Sequence, residues 1–408
     1  VTPQVYVTGM GVVSALGVGR DAHQEAARSG SNGIRLMESV DISLVDCKIA
    51  GEVPARSLPP FDVRRADRFV RFALLAAQEA GAEAGLSRTD FDPRRLGVVV
   101  ATGLGGCETL DAAYHRLYAQ NLTRFHPTSI PYAMYNAATS AVANQHQAKG
   151  PAYSVVSACA SGAHAITQGL DWIRSGRADM VLAGAADAPL AVGIIRGWEG
   201  MRILSVDNEN PDQACRPFSA DRKGLVLAEG AAILLLESEQ SARRRGAAPL
   251  GAIAGCGLTS DAGHLTDPST EGAQAAMELA LTDGRLQASE IDYVNAHGTG
   301  TRANDSTETN AIKAALGGRA YAIPVSSTKS MHGHAMGASG AIEIVLSLIA
   351  LNAGVVPPTR NLHQPDPQCD LDYVPNTSRP SDARVFLSNS FGFGGLNGVV
   401  AVRTQRGL

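Results

Sequence analysis

Apolar positions along the chain fall into two recurring patterns. Short continuous runs, such as 98–100 and 180–182, read as strands buried on both faces. Longer segments at 69–84, 162–175 and 340–353 carry apolar residues at helical spacing and predict helices. Alternation of the two predicts a layered α/β architecture. The mixed polar and aromatic segments 108–131 and 189–218 are expected to be insertions that build substrate walls or subunit contacts.

The pattern occurs twice in the same order. Val7-Thr8-Gly9-Met10-Gly11-Val12-Val13-Ser14 pairs with Ile253-Ala254-Gly255-Cys256-Gly257-Leu258-Thr259-Ser260, each read as a run entering a G-x-G turn. Val100-Ala101-Thr102-Gly103-Leu104-Gly105 then pairs with Asn295-Ala296-His297-Gly298-Thr299-Gly300, and Ala160-Ser161-Gly162-Ala163 with Ala338-Ser339-Gly340-Ala341. The strand candidates 179–183 and 384–388 complete the series. Matches in conserved order predict a duplicated core. Halves 1–245 and 246–408 are expected, the first with cap insertions and the nucleophile, joined by a basic surface connection at Arg243-Arg244-Arg245-Gly246-Ala247-Ala248-Pro249.

Composition narrows the class. Of 408 residues, 45% are hydrophobic and 18% charged, with 43 glycines, which excludes disorder. A net charge of −4 leaves no general basic field for nucleic acid or an anionic membrane, so an acidic partner needs a local patch. Six cysteines, without a C-x-x-C pair, read as reduced thiols of a cytoplasmic protein. No signal-peptide pattern opens the sequence, and the apolar run 341–351, which contains Glu343 and Ser347, is far shorter than the ~20 residues of a membrane span.

Candidate chemistry centres on Cys159 in Ser157-Ala158-Cys159-Ala160-Ser161-Gly162-Ala163, expected at a strand-to-helix turn where the helix dipole favours the thiolate. Asn295-Ala296-His297-Gly298-Thr299-Gly300-Thr301 places a histidine on a glycine-rich turn after a strand. Lys329-Ser330-Met331-His332-Gly333-His334 places a histidine pair at the opening of the second-half helix, the duplicate of the helix behind Cys159. Strand ends and helix starts of both halves can therefore meet at one centre.

These motifs, A-C-A-S-G, N-A-H-G-T-G-T, K-S-M-x-G-H-x-x-G-A-x-G and Asn389-Ser390-Phe391-Gly392-Phe393-Gly394-Gly395, resemble those of the elongating β-ketoacyl-acyl-carrier-protein synthases, over nearly the whole chain. The resemblance implies a thiolase-like, duplicated αβαβα five-layer α/β fold, usually dimeric. It implies Cys159 as the acyl-accepting nucleophile, His297 and His334 as the pair promoting malonyl decarboxylation, and Lys329 and Glu308 as supporting charges. The Phe393 and Cys159 N–H groups would form the oxyanion hole, with the Phe393 ring as gate and Phe391 in the substrate site. Thr299 and Thr301 would line the pantetheine arm of the extender.

Arg64, Arg65 and Arg202 match positions that contact an acyl carrier protein bearing phosphopantetheine-linked groups. Trp198 and Leu225 stand where relatives commonly carry Phe, which reshapes the acyl pocket and opens polyketide or polyene elongation beside fatty acid synthesis. The partner would be a second copy or a ketosynthase-like homologue. Cys159 with two histidines also fits the donor types of a zinc site, but no fourth ligand accompanies them and neither glycine-rich motif fits a dinucleotide loop, so no metal or cofactor is expected. Competing readings are a non-catalytic chain-length partner, which would lack the nucleophile, and a thiolase, which would carry a second cysteine near the C-terminal end.

Overall fold

The computed structural model describes residues 3–59, 66–86, 91–122 and 124–408. Its main strands are β1 (Val5–Ser14), β2 (Leu96–Ala101), β3 (Met180–Asp187), β4 (Gly230–Ser238), β5 (Gly251–Ser260), β6 (Tyr293–Asn295), β7 (Val325–Ser326), β8 (Val385–Gly392) and β9 (Leu396–Thr404). With the short strand Gly17–Val18, the described residues form a ten-stranded sheet in the order β7-β6-β8-β9-β5-β1-β4-β3-β2.

β1 and β5 meet antiparallel through Val5↔Ile253, Tyr6↔Ala252 and Val7↔Gly251. Read outward from this junction, one side runs β5-β9-β8-β6-β7 and the other β1-β4-β3-β2. Beyond β2, Ala152 bridges Val98 in parallel, where β7 lies parallel to β6 on the other side. The two sides therefore repeat one order. Residues 153–156, the stretch leading to Cys159, run beside β2 as its outer neighbour, with the Tyr153 N–H donating to Val98 O and the Thr102 N–H to Val155 O.

Five helices matter for the site: α1 (Arg68–Glu83), α2 (Ser161–Arg174), α3 (Thr270–Gly284), α4 (Arg302–Leu316) and α5 (Ser339–Asn352). Along α5, every residue from Ser339 to Leu351 is buried, as expected of a helix enclosed on all sides. Together α2 and α5 contribute to one core that also contains Val99 and Val181 of the first half and Phe386 and Val400 of the second. Separate cores lie under α1 and under α3 with α4. Helix, strand, helix, strand, helix is thus the layer order.

The G-x-G pairs are not turns. Gly9 and Gly11 lie inside β1, and Gly255 and Gly257 inside β5. A Cβ on Gly11 would come within 2.0 Å of Ala76 O of α1, and one on Gly257 within 1.9 Å of Ala276 O of α3. Glycine here lets a helix backbone lie directly on a strand. The basic connection lies at the surface as expected, with Arg243, Arg244, Gly246 and Ala248 exposed, although its first residues are helical. Residues Glu239–Arg245 form a helix, and the Arg245 side chain is buried against Glu237 at 2.9 Å.

Candidate active site

Cys159 sits in a single 3₁₀ turn, Ala158–Ala160, immediately before α2. The turn starts from left-handed backbone at Ala158, φ 49°, and is tied by Ser161 Oγ, which accepts from the Ser157 N–H at 2.9 Å and donates to Ala158 O at 2.7 Å. The other half repeats this. Met336–Ala338 is a 3₁₀ turn before α5, and Met336 has φ 50°. The helix starts approach closely because a Cβ on Gly162 would lie 2.7 Å from Ala341 N.

His297 lies two residues past the end of β6. Its N–H and that of Gly298 each donate to the Glu308 carboxylate of α4 at 2.7 Å, and Asn389 Nδ2 of β8 donates to the same group at 3.0 Å. Lys329 is fully buried in the short helix Lys329–His332, separate from α5, so the histidine pair precedes the second-half helix instead of opening it. Lys329 Nζ donates to His297 O at 2.6 Å, lies 3.3 Å from His297 Nδ1, and pairs with Glu343 of α5. His334 Nδ1 accepts from the Met336 N–H at 3.1 Å and lies 2.9 Å from Ser339 Oγ.

The two imidazoles stand edge to face, centroids 5.4 Å apart and planes at 88°. Ligand atoms of Cys159, His297 and His334 all lie within 4.8 Å of one another, with all three residues buried. Sequence reasoning assembled this trio but missed what supports it. Glu343 was legible only as an acid inside the most apolar helical run, and Asp187, beyond the strand candidate 179–183, carried no signal.

Burial controls the electrostatics. It pushes the Cys159 thiol up to about 11, against the opposing effects of Lys329 and a hydrogen bond from the Phe393 backbone. Burial thus works against the expected thiolate, and Lys329 and the Phe393 N–H work for it. His297 and His334 are held well below the ordinary histidine range by burial and then by Lys329, so both are neutral at neutral pH. Burial raises the Glu343 carboxyl to about 7, against Lys329, and raises Glu308 as well.

These contacts fix the tautomers. An amide N–H and an ammonium can only donate, so the Nδ1 atoms of His334 and His297 accept and each neutral ring carries its proton on Nε2. Two Nε2–H groups beside a thiol suit an oxygen that gains negative charge. They do not offer the free imidazole lone pairs that a metal requires.

The site opens into a cavity of about 220 Å³ lined by the trio together with Trp198, Leu225, Thr299, Thr301, Phe391 and Phe393. Trp198 packs on Phe393 with centroids 5.8 Å apart, Phe391 lies 5.9 Å from the His297 ring, and Thr299 Oγ1 is 2.8 Å from Thr301 Oγ1. Arg202 is exposed between the cavity residues Met201 and Ile203, with φ 57°. Arg64 and Arg65 lie outside the described residues.

Comparisons with known proteins agree along the chain. The family model "Beta-ketoacyl synthase, N-terminal domain" matches residues 2–242, and "Beta-ketoacyl synthase, C-terminal domain" matches 250–363. Nodulation protein E of Rhizobium sp. (strain N33) is 42% identical over 405 residues, covering 98% of this chain and 99% of its own. The 3-oxoacyl-[acyl-carrier-protein] synthase 2 of Synechocystis sp. (strain ATCC 27184 / PCC 6803 / Kazusa) is 41% identical over 406 residues, covering 98% of each. A solved type II PKS acyl-carrier protein in complex with its ketosynthase bound to the hexaketide matches with TM-score 0.92 and 34% identity, covering 99% of this chain and 100% of that one.

Proposed function

The chain belongs to the β-ketoacyl synthase family, and from that premise we propose that it joins a Cys159-bound acyl chain to malonyl-acyl carrier protein by decarboxylative Claisen condensation. At the coarser level it is a condensing enzyme of the acyltransferase type in fatty acid or polyketide elongation. Halves 1–245 and 246–408 supply the nucleophile and the two histidines respectively. The observation that carries the reading is the pair of occupied Nδ1 atoms, which leaves both Nε2–H groups for an enolate oxygen beside Cys159.

In the first half-reaction the Cys159 sulfur attacks the acyl thioester while the Cys159 and Phe393 N–H groups hold the developing oxyanion. Sγ–C forms, the carrier's C–S bond breaks, and the thiol proton ends on the departing pantetheine thiol. Malonyl thioester then loses CO₂, and its enolate oxygen is held by Nε2–H of His297 and His334. The carbanion attacks the Cys159 thioester, giving β-ketoacyl-carrier protein and a thiolate that takes a proton from solvent. Lys329 and Glu308 orient the His297 segment. Thr299 and Thr301 face the extender's arm, and Trp198 and Leu225 shape the acyl space.

The partners are acyl carrier protein, approached through Arg64, Arg65 and Arg202, and a second ketosynthase-like subunit. Tyr153 and Val156, beside the outer strand of the first half, are 45% and 50% exposed, which supports a subunit on that edge. No helix among the described residues is long and apolar enough to cross a membrane. Intact mass after incubation with acyl-carrier proteins of differing length and unsaturation tests the reading. One acyl adduct is expected, absent in Cys159→Ala; an adduct that persists in the variant overturns the mechanism.

A further inference from the structure

Resting on the condensation proposed above, we propose that Asp187 is a positioning residue for the histidine-dependent half of the reaction: it ties down the turn that holds His334. The duplication makes its place legible. Cys159 and Gly337 occupy equivalent positions in the two 3₁₀ turns, each preceded by a left-handed residue, Ala158 at φ 49° and Met336 at φ 50°. The last residues of the equivalent strands β3 and β8 are Asp187 and Gly392.

Gly392 lies against the Cys159 turn. A Cβ there would be 3.1 Å from Ser157 O and 3.2 Å from Cys159 N, so glycine keeps the space beside the Cys159 N–H open. At the equivalent place in the other half the space is filled. The fully buried Asp187 carboxylate accepts the Gly337 N–H, counterpart of the Cys159 N–H. It also accepts Thr102 Oγ1–H at 2.6 Å, Gly103 N–H at 2.7 Å and Leu104 N–H at 3.1 Å. A side-chain oxyanion thus stands where the other copy keeps its hole.

The consequence falls on His334. Gly337 follows Met336, whose N–H fixes His334 Nδ1 as an acceptor at 3.1 Å and so sends the ring proton to Nε2. Asp187 spans the halves by holding this turn against the Thr102–Leu104 loop. An asparagine has one acceptor oxygen and turns an NH₂ toward the same donors, leaving buried N–H groups without partners. Displacing the turn by a fraction of an ångström misaims Nε2–H.

The test separates the half-reactions in the full-length protein, with malonyl-acyl carrier protein for decarboxylation and an acyl-carrier protein for Cys159 acylation. In Asp187→Asn the decarboxylation kcat is expected to fall about 10–100-fold at little-changed KM, with acylation within about threefold of wild type. Asp187→Glu, which keeps the carboxylate, is expected to recover part of the loss. If Asp187→Asn does not fold, Thr102→Val, which removes one donor to Asp187, carries the same test with a smaller loss in the same order. Equal losses in both half-reactions, or none, would overturn the role of Asp187 while leaving the condensation intact. A wild-type protein that neither decarboxylates malonyl-carrier protein nor acylates Cys159 would overturn both.

Discussion

Two regions of this molecule have one backbone plan and opposite contents. At the active centre, Cys159 of the first half lies beside His297 of the second, and Gly392 leaves room next to the Cys159 N–H. At the twofold-related place, Gly337 stands for Cys159, Thr102 for His297 and Asp187 for Gly392, and the four donors around the Asp187 carboxylate close the space. Duplication builds two equivalent meeting points of strand ends and helix starts, and divergence at a few positions leaves one open beside Cys159 and fills the other with a carboxylate. The carboxylate there also shows what such a turn binds: an oxygen carrying negative charge.

The sharpest way to break the contrast is to write that carboxylate into the active centre. Gly392→Asp places a carboxylate against the Cys159 N–H, occupying the oxyanion position and setting a negative charge near a thiol that burial already pushes up to about 11. Cys159 acylation is expected to slow by about 10²–10³-fold, the scale of a lost oxyanion donor. Stopped-flow or mass-resolved acylation kinetics measure it. An unchanged rate would mean that the Cys159 N–H does not hold the oxyanion.

Strand and helix existence, their duplicated order and the three side chains that meet at the cavity were all legible from periodicity and motif. Helices expected at 69–84, 162–175 and 340–353 form at Arg68–Glu83, Ser161–Arg174 and Ser339–Asn352. What escaped was tertiary. The strand glycines of β1 and β5 looked like turns because glycine's local signature is the same whether the chain bends or another backbone presses on it. The burial that opposes the thiolate escaped as well, because dipole and motif are visible in sequence whereas depth of burial is not. Asp187 was invisible because its donors lie on the Thr102–Leu104 segment and at Gly337, far apart along the chain.

Those strand glycines allow a second test, on stability. A Cβ at Gly257 would lie 1.9 Å from Ala276 O and 2.6 Å from Ala280 N, both backbone atoms of α3, so no rotamer relieves the clash. Gly257→Ala is expected to cost about 1–3 kcal/mol or more through overpacking. Denaturant unfolding should show a lowered midpoint. Gly246→Ala gives the contrast on steric grounds, since no atom lies within 4 Å of a Cβ there, although its φ of +66° carries a backbone penalty of its own. A Gly257 variant as stable as wild type would refute direct helix-on-strand contact as the reason for the repeated G-x-G.

The last test concerns His332, a buried residue of the second half. It is buried, with Nε2 3.2 Å from Thr328 Oγ1, and is pushed down to about 3 by burial first, then by Lys329 and His23. A histidine depressed in the folded state stays neutral there while the unfolded chain takes up its proton near 6.5. Its contribution to stability is therefore full above pH 6.5 and is lost as pH falls toward 3. At about 1.4 kcal/mol per pH unit, moving from pH 7 to pH 5 removes about 2 kcal/mol on its account. His332→Leu should delete that part of the acid limb while retaining decarboxylation, because the Met336 N–H and not His332 fixes the His334 tautomer. Unfolding midpoints of the two proteins, parallel across this range, would show that His332 is not held neutral in the fold.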